Sequence, residues 1–253
     1  MDPTGNITIL VETPVEEASQ PVIAEKLMAL EKDAEQAGFL SAADDCDIAL
    51  RMAGGEFCGN AAMSSAVLCA LKSGTENGVF FVRVSGSEKP VRAEVARLPG
   101  GSYRGTVEMP RPRSIGMTEF PGHGKFPVVH FDGISHAVIE QPMKREEAEK
   151  LIRAWGGTQR QSAFGMIFLD PSYTKLTPLV YVPGADTLFW ENSCASGTAA
   201  AGAYLAAKHG CAVDLAFEEP GGQLQIQASP SGPLLLTGTV TERACKTVRR
   251  ADL

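Results

Sequence analysis

The feature that most constrains the fold of this chain is an internal repeat with a period of 136 residues. Cys58 and Cys194 each stand just before a helical pattern, in the stretches GGEFCGNAA and WENSCASGTAA. Each cysteine is followed by a lysine 14 residues later and by a glycine 16 residues later. This period is too long for a solenoid. The repeat therefore predicts a duplicated domain, and we expect the two cysteines to occupy equivalent places and to face one another.

Hydrophobic periodicity predicts an α/β (α+β) fold in which each half combines strands with helices. The helices are predicted over 21–38 (closed by Gly38), from Cys58 to Gly74 as an amphipathic helix, over 144–157, and after Cys194. The strands are predicted at 6–11, 47–54, 78–86, 89–98, 126–132, 135–140, 164–170, 176–184, 212–218 and 222–228, with one or two more near the end.

A strand over 104–116 that fades into a Pro-rich link marks the predicted boundary between the halves. We assign 1–118 to an N-terminal half that carries Cys58, and 119–253 to a C-terminal half that carries Cys194. A return of the last ~12 residues to the N-terminal half is left open, since domain boundaries follow contacts rather than chain order.

Composition excludes several classes of protein. With 44% hydrophobic and 21% charged residues, the 253-residue chain is globular. The net charge of −7 gives no electrostatic footprint for nucleic acid. No apolar run approaches the roughly 20 residues of a membrane span. The start of the chain, MDPTGNITIL, lacks an export signal, so we expect a cytoplasmic protein with six free cysteines.

A cysteine at a helix N-terminus has a defined chemistry. The aligned peptide dipoles there lower the pKa of a thiol, so we expect both Cys58 and Cys194 to titrate below an ordinary thiol. The free N–H groups of the same turn bind a carboxylate, and small residues such as Gly59 and Ala195 let a ligand approach the backbone. Two such thiols on one α-carbon predict racemisation by two bases, one removing a proton and the other returning one, without a cofactor.

The motifs EFCGNAAMS and WENSCASGTAA resemble the paired cysteine motifs of the diaminopimelate epimerase-like family of PLP-independent amino-acid racemases. Over nearly the whole chain, GGEFCGNA, GMIFLD and LTPLVYVP are similar to the histidine racemases of staphylopine-type opine metallophore pathways. The resemblance implies two pseudo-symmetric halves, each a β-barrel-like sheet around a central helix. It also implies interconversion of L- and D-histidine and a supply of D-histidine for an opine-type metallophore.

The same resemblance implies roles for individual residues. Cys58 and Cys194 would be the catalytic bases, with no metal and no cofactor. The residues implied to bind the amino-acid substrate are Asn6, Glu56, Gly59, Asn60, His136, Glu191, Ala195 and Ser196. In GISHAVIE, His136 matches the family, but Ile134 and Ser135 replace the Asn and Pro that are usual before it, which argues against diaminopimelate as the substrate.

Several alternatives stay open at this point. Glu56 and Glu191 could order the cysteine loops or complement the helix dipoles rather than bind an α-ammonium group. His136 could shape the pocket or only satisfy the core. The chain could be a diaminopimelate epimerase or another racemase, a hydrolase with a cysteine nucleophile, or an amino-acid binding protein without catalysis. We expect neither nucleic acid nor membrane as a partner, and a homodimer is left open.

Overall fold

The protein is described here from a computed structural model, which covers residues 1–158 and 161–249. Its backbone divides into two compact units. The first unit comprises Met1–Glu108 and Thr237–Leu253, and the second comprises Met109–Leu236. Over the described residues the fold is mixed α+β, with two sheets and four α-helices. None of the described helices has both the length and the apolar character needed to span a membrane.

The first unit consists of hydrogen-bonded strands and two helices. Its elements in chain order are β1 (Asp2–Pro3), β2 (Thr8–Val11), α1 (Gln20–Leu30), β3 (Gln36–Ser41), β4 (Ile48–Met52), α2 (Gly59–Ser73), β5 (Asn77–Val84), β6 (Val91–Arg97) and β7 (Tyr103–Met109). The strand order is β7-β6-β5-β4-β3-β2. The pairs β2–β3 and β4–β5 are parallel, and the other pairs along this order are antiparallel.

The second unit carries the other sheet and two helices. Its elements are β8 (Ser114–Phe120), β9 (Gly124–His130), β10 (Ile134–Ile139), α3 (Arg145–Gly156), β11 (Ala163–Leu169), β12 (Leu176–Val182), β13 (Thr187–Trp190), α4 (Ala195–His209), β14 (Val213–Glu219), β15 (Gly222–Ala228) and β16 (Leu234–Thr241). The sheet has the order β13-β12-β11-β10-β9-β8. Strands β14 and β15 form an antiparallel hairpin, and β16 begins in this unit and ends in the first.

Helix α2 is buried on all sides over Gly59–Val67, and it packs against β4, β5 and β6. The sequence predicted an amphipathic helix here, which is wrong for this half of the helix. Small residues make the burial possible, because a helix without bulky side chains can approach strands closely. Gly105 on β7 shows how tight the packing is, since a Cβ at that position would overlap the Met63 side chain.

The second unit has a larger apolar core on one face of its six-stranded sheet. There α3 lies over β11 and β12. Trp155 of α3 meets Phe120 and Phe164 edge-on, at ring centroid distances of 5.2 and 4.9 Å. Such edge-to-face pairs add to the stabilisation that comes from burying the rings. Helix α4 packs against β10, β11, β14 and β15, and it is thus held from two directions within its own unit.

One predicted helix ends earlier than its sequence pattern indicates. Periodicity predicted a helix over 21–38, but α1 ends at Leu30 and the chain enters β3 at Gln36. Tertiary pairing outweighs helix propensity here, because β3 bonds to both β2 and β4. Gly38 lies in this strand rather than at a helix end, and a Cβ there would approach Leu50 Cδ1 to 2.5 Å.

The units divide at a different place from the predicted boundary after residue 118. The first unit ends at Glu108, just before the Pro-rich link that follows β7. The reason is that β8 (Ser114–Phe120), which the predicted boundary would divide after residue 118, pairs with β9 in the second sheet over its whole length. The C-terminal segment from Thr237 belongs to the first unit, where β1 pairs with β16.

Candidate active site

Cys58 and Cys194 occupy the same local position in their two units. Each is the N-cap residue of a 15-residue helix, with φ and ψ of −133° and 113° at Cys58 and −132° and 101° at Cys194. The helices end at Gly74 and Gly210, both in the left-handed conformation with a φ of 67°. A glycine accepts this conformation without a Cβ penalty. The local structure thus repeats with the same period as the sequence.

The Cys58 thiol lies in a hydrogen-bonded chain of the first unit. Its Sγ accepts the Ala61 N–H at 3.4 Å and donates to Gln36 Oε1 at 3.0 Å. The Gln36 amide in turn donates to Thr8 Oγ1 at 2.8 Å and to Asn6 Oδ1. The structure therefore connects Asn6, a predicted substrate-binding residue, to Cys58 through Gln36.

Sequence reasoning missed Gln36, Thr8 and Glu35 as neighbours of this site. Asn6, which is 3% exposed, donates from Nδ2 to Glu35 Oε2. Glu35 and Gln36 were assigned to the predicted helix over 21–38, which would have pointed their side chains elsewhere. A signal was present in the run QAGFLS, whose apolar centre favours a strand over the end of a polar helix.

Glu56 lies in the loop before Cys58, and the residue is exposed to solvent. Crowding of its carboxyl by protein atoms raises its pKa, while the N–H groups of Gly54 and Glu56 itself and the charge of Arg51 act in the opposite direction. The Arg51 guanidinium also bonds Gln20 Oε1 at 3.0 Å. The role of Glu56, in ordering the cysteine loop or in binding the substrate, stays a prediction.

The Cys194 thiol is buried, with 5% of its surface exposed. Burial raises the pKa of this thiol well above its ordinary value, and the neighbouring Glu191 carboxyl raises it further. The sequence predicted a lowered pKa at both cysteines, and this is wrong for Cys194. Desolvation and a nearby negative charge outweigh the field of the helix N-terminus. Cys194 is therefore a neutral thiol in this structure.

His136 lies on β10 with none of its surface exposed. Its Nε2 is 2.9 Å from Ser196 Oγ, and Ser196 Oγ is 3.6 Å from Cys194 Sγ. Burial lowers the pKa of the imidazole to about 3, so the ring is neutral. Nδ1 has no hydrogen-bond partner among the described residues. The structure thus brings His136 and Ser196, two predicted site residues, to Cys194.

Room for the His136 ring comes from a glycine on the adjacent strand. Gly165 of β11 pairs with His136 in the parallel register of the two strands. A Cβ at Gly165 would overlap Nδ1 and lie 2.5 Å from Cε1 of the ring. The imidazole therefore packs directly on the Gly165 backbone, and this explains why this strand has a glycine in an otherwise apolar run.

The remaining predicted residues lie in the first turns of the two helices. Gly59 and Asn60 begin α2, and Ala195 and Ser196 begin α4. Gly59, Asn60 and Ala195 are buried, and Ser196 is half-buried. N–H groups in a first helical turn have no partner within the helix, so this turn is suited to hold an anionic group.

Sequence reasoning also missed two residues that contact the start of α4. Glu219 Oε2 accepts the Cys194 N–H at 2.8 Å, and Thr198 Oγ1 bonds Glu219 Oε1. Glu219 is 6% exposed. No sequence signal marks this contact, because Glu219 reaches α4 from β14, the strand that follows that helix.

Across residues 1–158 and 161–249, no group of three or more His, Cys, Asp or Glu side chains is placed to hold a metal ion.

Two curated relatives resemble the chain over most of its length. A histidine racemase of Fusobacterium nucleatum subsp. nucleatum is 33% identical over 214 residues, which cover 81% of this chain and 79% of that protein. A histidine racemase of Staphylococcus aureus (strain Mu50) is 31% identical over 237 residues, which cover 89% of this chain and 85% of that protein.

Solved structures show a similar fold at low sequence identity. A predicted epimerase from Pseudomonas aeruginosa superimposes with a TM-score of 0.63 at 13% identity, covering 92% of this chain and 89% of that one. A phenazine biosynthesis protein of the PhzF family from Enterococcus faecalis gives 0.57 at 14% identity, with 92% and 87% covered. Residues 1–240 match the family described as "Histidine racemase CntK N-terminal domain", and the chain therefore belongs to the histidine racemase family.

Proposed function

We propose that this protein interconverts L- and D-histidine by proton transfer at the α-carbon, with Cys58 and Cys194 as the two bases and without a cofactor. The observation that carries the proposal is the repeated placement of a cysteine at the N-cap of a buried helix. Membership of the histidine racemase family supports the choice of histidine.

The proposed step balances without an oxidant or an added base. The thiolate of one cysteine takes the α-proton and becomes a thiol, which leaves an enolate-like charge on the α-carbon and its carboxylate. The thiol of the other cysteine gives its proton to the opposite face of that carbon and becomes the thiolate. Cys194 is a neutral thiol in this structure, which is the state that donates a proton. For Cys58 to act as the base of the same turnover, it must first release to solvent the proton that it donates to Gln36 in this structure. The reverse turnover exchanges the two roles.

The α-carboxylate of the substrate needs hydrogen-bond donors whose bonds strengthen as negative charge develops on it in the transition state. We assign this role to the first-turn N–H groups at Gly59, Asn60, Ala195 and Ser196, because such donors are fixed before the reaction and require no reorganisation. Asn6, Glu56 and Glu191 are assigned to the substrate amino group or to the order of the cysteine loops. His136 is assigned to positioning through Ser196, since a neutral, fully buried ring is a poor proton acceptor.

Two alternatives receive less support. A hydrolase with a cysteine nucleophile needs a histidine that accepts the thiol proton. His136 is bonded to Ser196 Oγ instead, and burial lowers its pKa to about 3. A diaminopimelate epimerase is not favoured by the relatives, which are named histidine racemases.

The proposal also covers the fold family, the fate of the product and the location of the protein. A diaminopimelate epimerase-like fold, with two pseudo-symmetric halves, is supported by the equivalent helices α2 and α4 and by the likeness to a predicted epimerase. The supply of D-histidine to an opine-type metallophore rests on the sequence resemblance alone. A cytoplasmic location and a homodimer also stay predictions.

A proton NMR time course in deuterium oxide tests the activity. Under reducing conditions, L-histidine should lose its α-proton signal, and D-histidine should appear on a chiral column. A panel with LL- and meso-diaminopimelate, L-proline and other L-amino acids tests the substrate. Exchange with one of these but not with histidine would overturn the choice of substrate, and no exchange with any of them would overturn the reaction.

Single variants test the two bases. C58S and C194S should each lower turnover by about 10²–10⁴-fold, the usual contribution of a general acid or base. The matched control is C211S, because Cys211 is an exposed cysteine just beyond the C-terminal end of α4. Turnover of C58S or C194S equal to that of C211S would rule out the two-thiol mechanism.

A further inference from the structure

The start of α4 has no side-chain cap from its N-cap residue, Cys194. In a capping box, a Glu or Gln at the third helical position reaches back to the N–H of the N-cap residue. That position in α4 is Gly197, where a Cβ would overlap Ile167 Cδ1 and lie 3.2 Å from Cys194 Sγ. A side chain therefore has no room there. The N-cap N–H, which belongs to Cys194, is bonded instead by Glu219 from β14 at 2.8 Å.

The bonds around the Glu219 carboxyl are satisfied with a proton and without one. Thr198 Oγ1 bonds Glu219 Oε1 and also lies 2.9 Å from the Cys194 carbonyl oxygen. If Glu219 is protonated, its O–H donates to Thr198 and the hydroxyl donates to Cys194 O. If Glu219 is ionised, the Thr198 hydroxyl turns to the carboxylate, and Cys194 O keeps the Thr198 N–H at 2.9 Å.

Electrostatics decides between these two states. Glu219 is buried, and desolvation raises its pKa to about 8. The titratable groups that act on it are Glu191, from the loop before α4, and Cys194 itself, and a negative charge on either opposes its ionisation. The positive field of the α4 N-terminus would stabilise an ionised Glu219, but the same field also stabilises the Cys194 thiolate. A charge on Glu219 would therefore oppose formation of that thiolate.

We propose that Glu219 is a positioning residue for Cys194. The buried Glu219 carboxyl, as a neutral acid, bonds the Cys194 N–H and the Thr198 hydroxyl and so holds the Cys194 backbone in place. A neutral carboxyl fixes the N-cap without adding a negative charge beside the thiol. The start of α4 then remains electropositive for the Cys194 thiolate and for a substrate carboxylate. This inference rests on the proposed function, since it assigns Glu219 to the service of a catalytic base.

The protonation state is tested without any activity measurement. E219Q is close in shape and always neutral, and its amide can accept from Cys194 and donate to Thr198. A carboxyl that is neutral in the folded protein but ionised in the unfolded chain makes the wild type less stable as pH rises from about 4.5 to about 8. The Tm of E219Q should therefore rise relative to that of the wild type between pH 5 and pH 8, by roughly 7–14 °C.

The matched control for this measurement is E218Q. Glu218 is the adjacent residue on β14, it is exposed, and it bonds the exposed Gln223. E218Q removes the same charge at an exposed position of the same strand, so the pH dependence of the Tm of E219Q is compared with that of E218Q. An equal pH dependence in the two variants would show that Glu219 is ionised in the folded protein, and this would overturn the neutral form.

The positioning role is tested by kinetics with L-histidine. E219Q should keep kcat within about 3-fold of the wild type at pH 7 and should retain more activity above pH 8, where the wild type ionises Glu219. E219A should lower kcat by roughly 10–100-fold with little change in KM, as expected when a reacting group is misplaced. A kcat loss in E219Q as large as in E219A would overturn the proposal. If the wild type racemises no amino acid, the proposed function fails, while the Tm comparison still determines the protonation state.

Discussion

Replacing Gly165 by alanine tests the packing that places His136 beside Ser196. The added Cβ would overlap His136 Nδ1 and lie 2.5 Å from Cε1. The ring is fully buried, so other packed atoms surround it and oppose its displacement. The ring must therefore shift and break its bond of 2.9 Å to Ser196 Oγ. Overpacking of a core costs about 1–3 kcal/mol. Loss of a buried hydrogen bond costs about 1–3 kcal/mol more.

We expect G165A to lower the free energy of unfolding by about 2–6 kcal/mol, the sum of these two effects, as measured by urea denaturation at pH 7.5. Racemisation should also slow, because Ser196 lies between His136 and Cys194. The matched control is G116A on β8 of the same sheet, where a Cβ would contact nothing within 4 Å. That variant should stay within about 0.5 kcal/mol of the wild type.

A double variant separates the overlap from other effects of the substitution. H136A removes the ring that the new Cβ would strike, so G165A should cost far less in an H136A background. The coupling between the two substitutions should exceed about 1 kcal/mol, as for residues in direct contact. Equal stability of G165A and G116A, or strictly additive effects in the double variant, would refute this account of the site.

Three further predictions follow from the same geometry. Q36A should lower kcat/KM by about 10–100-fold, because Gln36 bonds both Cys58 and Asn6. The control Q223A, at an exposed position of β15, should leave kcat/KM unchanged in steady-state kinetics. Because the His136 pKa is lowered to about 3 from 6.5, the unfolded chain binds the extra proton between these values. The stability contributed by the neutral ring is therefore complete above about pH 6.5 and is lost as pH falls towards 3, by roughly 5 kcal/mol in all. The free energy of unfolding of the wild type relative to that of H136Q, measured by urea unfolding, should therefore rise from pH 4 to pH 7. Iodoacetamide should modify Cys194 at least about 10-fold more slowly than Cys58, because burial raises the pKa of the Cys194 thiol, and peptide mass spectrometry that found equal rates would contradict this.

The two cysteine helices were predictable because their signals are local. An N-cap residue, a run of small residues and a C-terminal glycine determine where a helix begins and ends within a few residues of sequence. Gly74 and Gly210 end their helices as predicted. The predicted helix over 21–38 failed for the opposite reason. Its second part is strand β3, and the pairing partners that make it a strand lie in β2 and β4, outside the local window.

The surroundings of the thiols required the tertiary structure. Gln36 meets Cys58 across 22 residues of chain, His136 meets Ser196 across 60, and Glu219 meets Cys194 across 25. The pKa of Cys194 reversed its predicted direction for the same reason, since desolvation depends on every atom packed around the thiol.

The sequence by itself therefore determined the repeat, the two cysteines, the helices that they begin and the family. The helix boundaries follow from backbone capping and from runs of small residues, which act over a few residues. The family was identified from the resemblance of the cysteine motifs. Only the tertiary structure decided which side chains reach each thiol, which of them are neutral, and where room exists for the His136 ring. These properties arise from burial and from contacts between distant segments, which no local pattern encodes.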